Sequence, residues 1–394
     1  MQSELGDHTL VLIVTNEDGE GRAEAIVRVG EIPELAFFFE STGITVPLGR
    51  TALLAPYVSY ATEATTYKWE VNGDVQTGQT GRIFSFTPSL EGSYTVKVTG
   101  TSEENSASAS VTVQCVAAEG TYYRASTGSS SPYSTKVFEF LPAPGQFVNE
   151  GYTASNQQQA NEYAEERLSS GNLYVSLGGF GGYIVVGFDH SIQNTASNDG
   201  YDIAIKGNAF KGSSEPGVVW VMQDENGNGL PDDTWYELKG SETGQETTKQ
   251  QYAVTYFRPS AVRQNVRWTD NLGNSGTVDI NGFHGQESYY PNWITSSSYT
   301  LRGTCLGLRN IFDPASGFWN NQEYGWGYAD NYGTDYISGE TRLNLDNAIY
   351  PDGTPIKLQY IDFVKVQTAV NGKSGALGEI STEVVCFRDM NITE

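Results

Sequence analysis

The run Asp224-Glu225-Asn226-Gly227-Asn228-Gly229-Leu230-Pro231-Asp232-Asp233 sets oxygen-bearing side chains at alternate positions, a glycine at the sixth, and paired carboxylates behind them. A hard cation such as calcium takes about six to eight oxygens around a sharp glycine turn. The chemistry this spacing offers is therefore calcium coordination, with Asp224, Asn226, Asn228, Leu230, Asp232 and Asp233 as the candidate ligand set. Counted as an EF-hand loop, the twelfth position is Trp235 rather than Glu, so a bidentate ligand has to come from Asp232, Asp233 or elsewhere. The flanks, Gly217 to Met222 and Trp235 to Leu238, read as strands rather than helices, which makes the loop a link between two strands. An Asn-Gly hairpin turn is the competing reading. It explains the glycines and asparagines but not the spaced ligand-type side chains. A structural ion, and an extracellular setting rich in calcium, are the expectations.

Three clusters alternate rings with amides and carboxylates: Tyr289-Tyr290-Pro291-Asn292-Trp293, Phe318-Trp319-Asn320-Asn321, and Tyr324 to Tyr332. Rings supply flat apolar surface at low entropic cost, and Asn, Asp and tyrosine hydroxyls supply directional hydrogen bonds. If Tyr324 to Tyr332 is a strand, Trp326 and Tyr328 share one face. Any single ring is as readily explained by core packing. The loop-like setting of all three clusters favours a binding face made from Tyr290, Trp293, Trp319, Trp326, Tyr328, Asp330 and Asn331.

No nucleophile elbow, zinc-protease helix, phosphate loop or dinucleotide fingerprint occurs in the chain. Of the three histidines, His8, His190 and His284, each reads more readily as structural or exposed than as a ligand. A carboxylate pair suited to glycoside hydrolysis is open, because spacing in sequence does not reveal separation in space.

These elements sit in 394 residues with a formal net charge of −24, a balance that argues against nucleic acid and anionic membrane surfaces as partners. The 44 glycines, 24 tyrosines and seven tryptophans, with few helix-forming runs, predict a mainly β protein with many turns. Cys115, Cys305 and Cys386 form no metal or disulfide spacing and are expected as buried free thiols, with a Cys305–Cys386 pairing left open. No apolar run approaches the length of a membrane span, and Met1-Gln2-Ser3-Glu4 lacks the basic start and apolar core of a signal peptide.

An internal repeat organises the N-terminal part. Gly6 to Leu12 matches Gly92 to Val98, and Ala23 to Val29 matches Ala107 to Val113, with the turn two residues longer in the first copy. Residues 1–32 thus read as the last hairpin of an immunoglobulin-like domain whose earlier strands lie upstream. Residues 33–116 read as one complete sandwich, with Trp69 on a central strand and Tyr94 in a tyrosine-corner position. This pattern is similar to the PKD-like domains of bacterial surface proteins, which imply a spacer. Residues 117–394 read as a larger, jelly-roll-like β-sandwich with long loops. It carries a helix from a Ser155 cap to about Leu168, with Ala160, Tyr163, Ala164 and Leu168 on one face. The glycines of Gly178 to Gly182 lie between strands with no following helix, so close backbone packing accounts for them better than phosphate binding.

From about Val137 to Cys386 the chain resembles a family of cell surface proteins of Bacteroidota. The resemblance lies in Pro142 to Phe147, Ser176 to Gly182, Tyr201 to Phe210, Ser214 to Asp233, Tyr328 to Asn331 and Ile361 to Gln367. It implies a surface lipoprotein, and some members resemble those that accompany outer-membrane uptake of corrinoids (vitamin B12). No lipobox cysteine is present in this sequence. The resulting expectation is a non-catalytic protein on the extracellular face of the outer membrane. It would capture a corrinoid with the help of a structural calcium and pass it toward a TonB-dependent transporter. A carbohydrate-binding module is the alternative, and a glycan hydrolase a third reading.

Overall fold

Alternating apolar and polar residues build most of the regular structure. The computed structural model describes residues 6–17, 19–29, 34–103 and 105–392. Gly6–Asn16 and Gly19–Val29 form an antiparallel hairpin that pairs with no other strand among the described residues. Leu10, Leu12 and Val14, and Val11 and Ile13 between them, are all exposed. The rest of the segment expected to end at residue 32 lies outside the described residues. The repeat is real, with one correction. Gly6 pairs Val29 as Gly92 pairs Cys115, so both strands are offset by 86 (92 − 6 and 115 − 29). Ala23 to Val29 is therefore in step with Ala109 to Cys115, not Ala107 to Val113. The small residues Ala107 and Ala109 both suit the alignment, which hid the two-residue slip.

The next unit is the expected sandwich. One sheet takes the order Gly43–Pro47, Ser106–Val116, Gly92–Thr101, Thr66–Val71, Asp74–Val75. The short pairs Ala36–Phe38 with Tyr57–Ser59, and Ala52–Leu54 with Phe84–Phe86, complete the unit. Trp69 is fully buried, stacks on Phe84 with ring centroids 5.1 Å apart, and donates its indole N–H to Gly81 O at 2.9 Å. The Tyr94 hydroxyl donates to Leu90 O at 2.9 Å, four residues upstream, which is the tyrosine-corner contact.

Beyond residue 117 a six-stranded antiparallel sheet forms the centre. Its order is Lys136–Leu141, Tyr183–Gln193, Tyr360–Thr368, Gly217–Met222, Trp235–Leu238, Ala348–Ile349. The central strands are buried almost continuously because both faces are covered. Ile184, Val186, Val219, Val221, Val364 and Val366 pack with Ile203, Ile205, Leu343 and Phe387 of a four-stranded sheet, and with the helix Gln157–Ser169. A second core gathers Phe180, Tyr252, Val254, Tyr256, Tyr289, Tyr290 and Leu301, largely around another four-stranded sheet that includes Lys249–Phe257 and Ser298–Cys305. The helix is capped by Asn156, whose side chain accepts from Gln159 N, and not by Ser155. Ser155 instead donates its N–H to Gln159 Oε1 at 2.9 Å, so the two residues share the capping work. Ala160, Ala164 and Leu168 are buried as expected.

The glycine cluster packs backbone on backbone. A Cβ on Gly178 would meet Ala143 O at 2.1 Å, and one on Gly182 would meet Leu177 O at 1.8 Å. All three cysteines are buried and free, so Cys305 and Cys386 are unpaired with each other. No helix among the described residues is long and apolar enough to cross a membrane.

Candidate metal centre

Met222 and Trp235 face each other in antiparallel register, so residues 223–234 form the hairpin loop between two central strands, as the flanking sequence predicts. Gly227 and Gly229 both hold φ of 73°, the left-handed region that lets the loop coil back. A Cβ on Gly227 would also strike the Tyr122 ring at 2.4 Å. The coil draws the predicted ligands together. Asp224 Oδ2 accepts the Gly229 N–H at 3.0 Å, Asn226 Oδ1 accepts from Asn228 N at 2.9 Å, and Asn228 Oδ1 accepts from Leu230 N at 2.7 Å. The Asn226 amide donates to Asp232 Oδ1 and Asp233 Oδ1, and the Asn228 amide donates to both oxygens of Asp232.

Asn226, Asn228, Asp232 and Asp233 are thus joined in one network, with the amide N–H groups standing between carboxylates, while Asp224 is held apart from it by Gly229 N and by its own N–H, which donates to Asp362 Oδ2 at 2.8 Å. The Asp224 Oδ1 atom is buried and has no hydrogen-bond partner. Burial raises Asp224 above the usual carboxylate range and pushes Asp233 up to about 6, where nearby Asp232 adds to the effect. Negative charge concentrated without a full complement of donors is what a hard cation relieves. Leu230 is exposed at 48 % and offers only its backbone carbonyl.

The loop also carries the junction between the two larger units. Glu225, buried beside the ligands, forms an ion pair with Arg50 of the sandwich, and Arg50 also reaches Glu119 of the linker at 2.8 Å. Burial drives Glu225 well above the ordinary range, and Arg50 offsets this only in part. The Thr234 hydroxyl donates to Thr45 O at 2.5 Å. Further along, Gln251 donates to Ala55 O at 3.0 Å, and Arg302 lies over the Phe38 ring at 4.5 Å. Arg50, Glu119 and Glu225 lie far apart in sequence; Glu225 sits inside the loop motif, but nothing in the sequence paired it with Arg50 or Glu119.

The ring clusters do not converge on one face. Tyr290 is 1 % exposed in the second core, and Trp293 is 8 % exposed in the first, where its indole donates to Gln157 Oε1 at 3.2 Å. Tyr328 is buried and accepts the Glu242 N–H at 3.0 Å. Asn331 is buried and bonds both main-chain groups of Tyr324, and Asp330 is buried with two backbone N–H partners. Residues 324–332 are not a strand, because Gly327 takes φ of 92° where its backbone crosses Gly240. Trp326 is half-buried there. Trp319 alone stands in the open, on the hairpin of Asn310–Asp313 and Phe318–Asn321, together with Ile311, Phe312 and Phe318. The loops are irregular, as read from sequence, yet they fold inward and their rings become core.

His190 is fully buried between Asp189 at 2.7 Å and Asp389 at 2.9 Å, a structural position. His284 meets Glu150 at 2.7 Å. That contact borders a small cleft of about 130 Å³, lined by Phe147, Tyr152, Tyr163, Tyr174, Glu150 and Arg167. Tyr152 and Tyr163 stack there at 3.7 Å.

Compared with known proteins, residues 39–115 match the PKD domain family, which makes this unit PKD-like. A solution structure of the PKD domain of human KIAA0319 is 20 % identical and covers 25 % of this chain and 91 % of that chain, with a TM-score of 0.20. The N-terminal four immunoglobulin domains of Dscam1 isoform 6.9 are 18 % identical over 28 % of this chain, with a TM-score of 0.21. The chain spans only 27 % of that Dscam1 structure. No curated protein matches the chain.

Proposed function

We propose that the chain is a non-catalytic, surface-exposed binding protein, in which a PKD spacer is clamped to a calcium-stabilised β-sandwich that captures a nutrient. The observation that carries the binding reading is the hairpin of residues 310–321. It exposes Ile311 at 60 %, Phe312 at 48 %, Phe318 at 62 % and Trp319 at 36 % on one short two-stranded element, whereas the other exposed rings of the domain, such as Phe210 and Phe283, lie on separate segments. Apolar side chains grouped in this way mark interaction sites more often than chance exposure does. A corrinoid remains the first ligand, through the family resemblance of Ser214 to Asp233 and Tyr328 to Asn331, with delivery to a TonB-dependent transporter at the outer membrane. A macrocycle larger than a drug-sized molecule would need more room than the 130 Å³ cleft gives; the larger groove of about 410 Å³ beside the helix, lined by Lys136, Glu162 and Glu165 among others, carries no aromatic ring, so the aromatic hairpin is the face we assign to it. The test is calorimetric titration with cyanocobalamin, for the native chain and for Trp319→Ala. Saturable binding that weakens in the variant supports the reading; no heat from either protein removes the corrinoid.

A carbohydrate ligand has its own support. The cleft of Tyr152, Tyr163 and Tyr174 combines ring faces with the Glu150 and Arg167 charges, a composition suited to one polar ring. A glycan titration lost in Tyr174→Ala, with cyanocobalamin silent, would favour that alternative.

A further inference from the structure

Glu215, Asp330 and Glu383 come from three separate segments, yet one carboxylate oxygen of each lies within 4.8 Å of the others. Asp330 holds the centre. Its Oδ1 accepts the Asn208 N–H and its Oδ2 the Glu383 N–H, both at 2.9 Å, so its orientation is set by backbone. Gly207 makes the approach possible, because a Cβ there would meet Asp330 Oδ1 at 2.4 Å. Glu215 is positioned through its own N–H, which donates to Asp330 O at 3.0 Å, and through its carbonyl, which accepts the Thr382 hydroxyl at 2.9 Å. None of the ion pairs among the described residues involves any of the three. A second observation points to a ligand. The Glu383 side chain is 2 % exposed, and its Oε1 has no hydrogen-bond partner.

We infer that Glu215, Asp330 and Glu383 form a second divalent-cation site, separate from the Asp224 loop and suited to calcium. Oxygens that bind calcium lie about 2.4 Å from it, so ligand atoms within 4.8 Å of one another fit on one such sphere. Three carboxylates suit a hard ion, and a buried oxygen without a donor is a place where a cation restores what burial removed from water. Glu215 is only partly buried and gives the ion its way in. Asp330 was singled out in the sequence for its aromatic neighbours; its partners Glu215 and Glu383 carried no motif.

The inference does not rest on the loop. Calcium alone is counted by equilibrium dialysis on the full chain and on Asp224→Ala, Glu215→Gln and Glu383→Gln, each checked for folding by circular dichroism. The expected result is two ions on the native chain, one on each single variant, and none on Asp224→Ala combined with Glu215→Gln. The partly exposed Glu215 is the safer position should Glu383→Gln fail to fold. A single ion on the native chain that Asp224→Ala abolishes and Glu215→Gln retains would overturn the inference and leave the loop reading standing. A single ion lost only in Glu215→Gln would do the reverse. Unchanged counts in both Glu→Gln variants, with a raised melting temperature, would show that the carboxyls share protons and hold no metal.

Discussion

Asp224→Ala is the most informative single change, because Asp224 serves the loop in two ways that calcium separates. Its Oδ2 accepts the Gly229 N–H at 3.0 Å, and its buried Oδ1 is open to an ion. Without calcium, removing the side chain loses one hydrogen bond to a carboxylate and also relieves a buried, proton-prone acid. Those effects oppose each other, so the net cost is small, about 1 kcal/mol. With calcium the arithmetic differs. An extracellular-type site binds at about 0.1 mM, so about 10 mM calcium stabilises the folded state by about 2.7 kcal/mol. A domain of this size shifts its melting temperature by about 2 °C for each kcal/mol. The loop ion should therefore raise melting by about 5 °C over chelator, and Asp224→Ala should lose that share of the calcium response. Any response from a second ion persists in the variant and does not obscure the contrast. Scanning calorimetry reads both quantities. Equal melting in calcium and chelator for the native chain would refute the metal reading, and an undiminished shift in Asp224→Ala would place the ion elsewhere. Asp224→Asn, which keeps an oxygen for Gly229 but removes a charge, should fall between the two.

Arg50→Ala should destabilise the chain by up to about 3 kcal/mol, since it strips the cation from buried Glu225, and should loosen the domain junction, seen as a larger radius of gyration in solution scattering. Burial pushes Glu237 up to about 7 and Glu379 up to about 8. Both are therefore protonated in the folded chain at pH values where the unfolded chain has released the proton. Their contribution is complete below about pH 4 and is lost as pH rises through 7 and 8, at up to about 1.4 kcal/mol per pH unit for each group. Melting in chelator should fall from pH 5 to pH 9, and Glu237→Gln should flatten the slope; a melting temperature rising over that range would contradict the assignment. Tyr290→Ala should cost about 3–5 kcal/mol as a core deletion, whereas Trp319→Ala should leave the melt within about 0.5 kcal/mol, so paired denaturant curves separate core rings from surface rings.

What the sequence disclosed and what it withheld divide along a physical line. Alternation, turn residues and the repeat made the PKD sandwich legible, down to Trp69 as buried core and Tyr94 as the corner. The loop from Asp224 to Asp233 was legible as a link between two strands, because its turn residues are neighbours in the chain and its flanks are plain strands. The ring clusters misled because an irregular segment can be either surface or core, and composition does not say which. Tyr290, Trp293 and Tyr328 lie in loops that are buried by packing from distant strands. Glu215 and Glu383 were invisible for the same reason: their meeting depends on three segments that only the finished fold brings together.

If the loop holds calcium as proposed, its position gives the ion a consequence beyond local stability. Glu225 is the residue after the first ligand, Asp224, and Thr234 the residue after the last, Asp233, and both reach the PKD domain, at Arg50 and Thr45. An ion that draws Asp224 and Asp233 together holds both residues in register with their partners. The reverse holds as well, because Arg50 and Thr45 restrain the loop before the ion arrives and lower the ordering entropy that binding must overcome. Two sites that favour the same arrangement are coupled in both directions. On the proposed reading the PKD-like domain would be a spacer whose angle is fixed where calcium is plentiful, with the exposed hairpin of residues 310–321 held at a constant orientation to it.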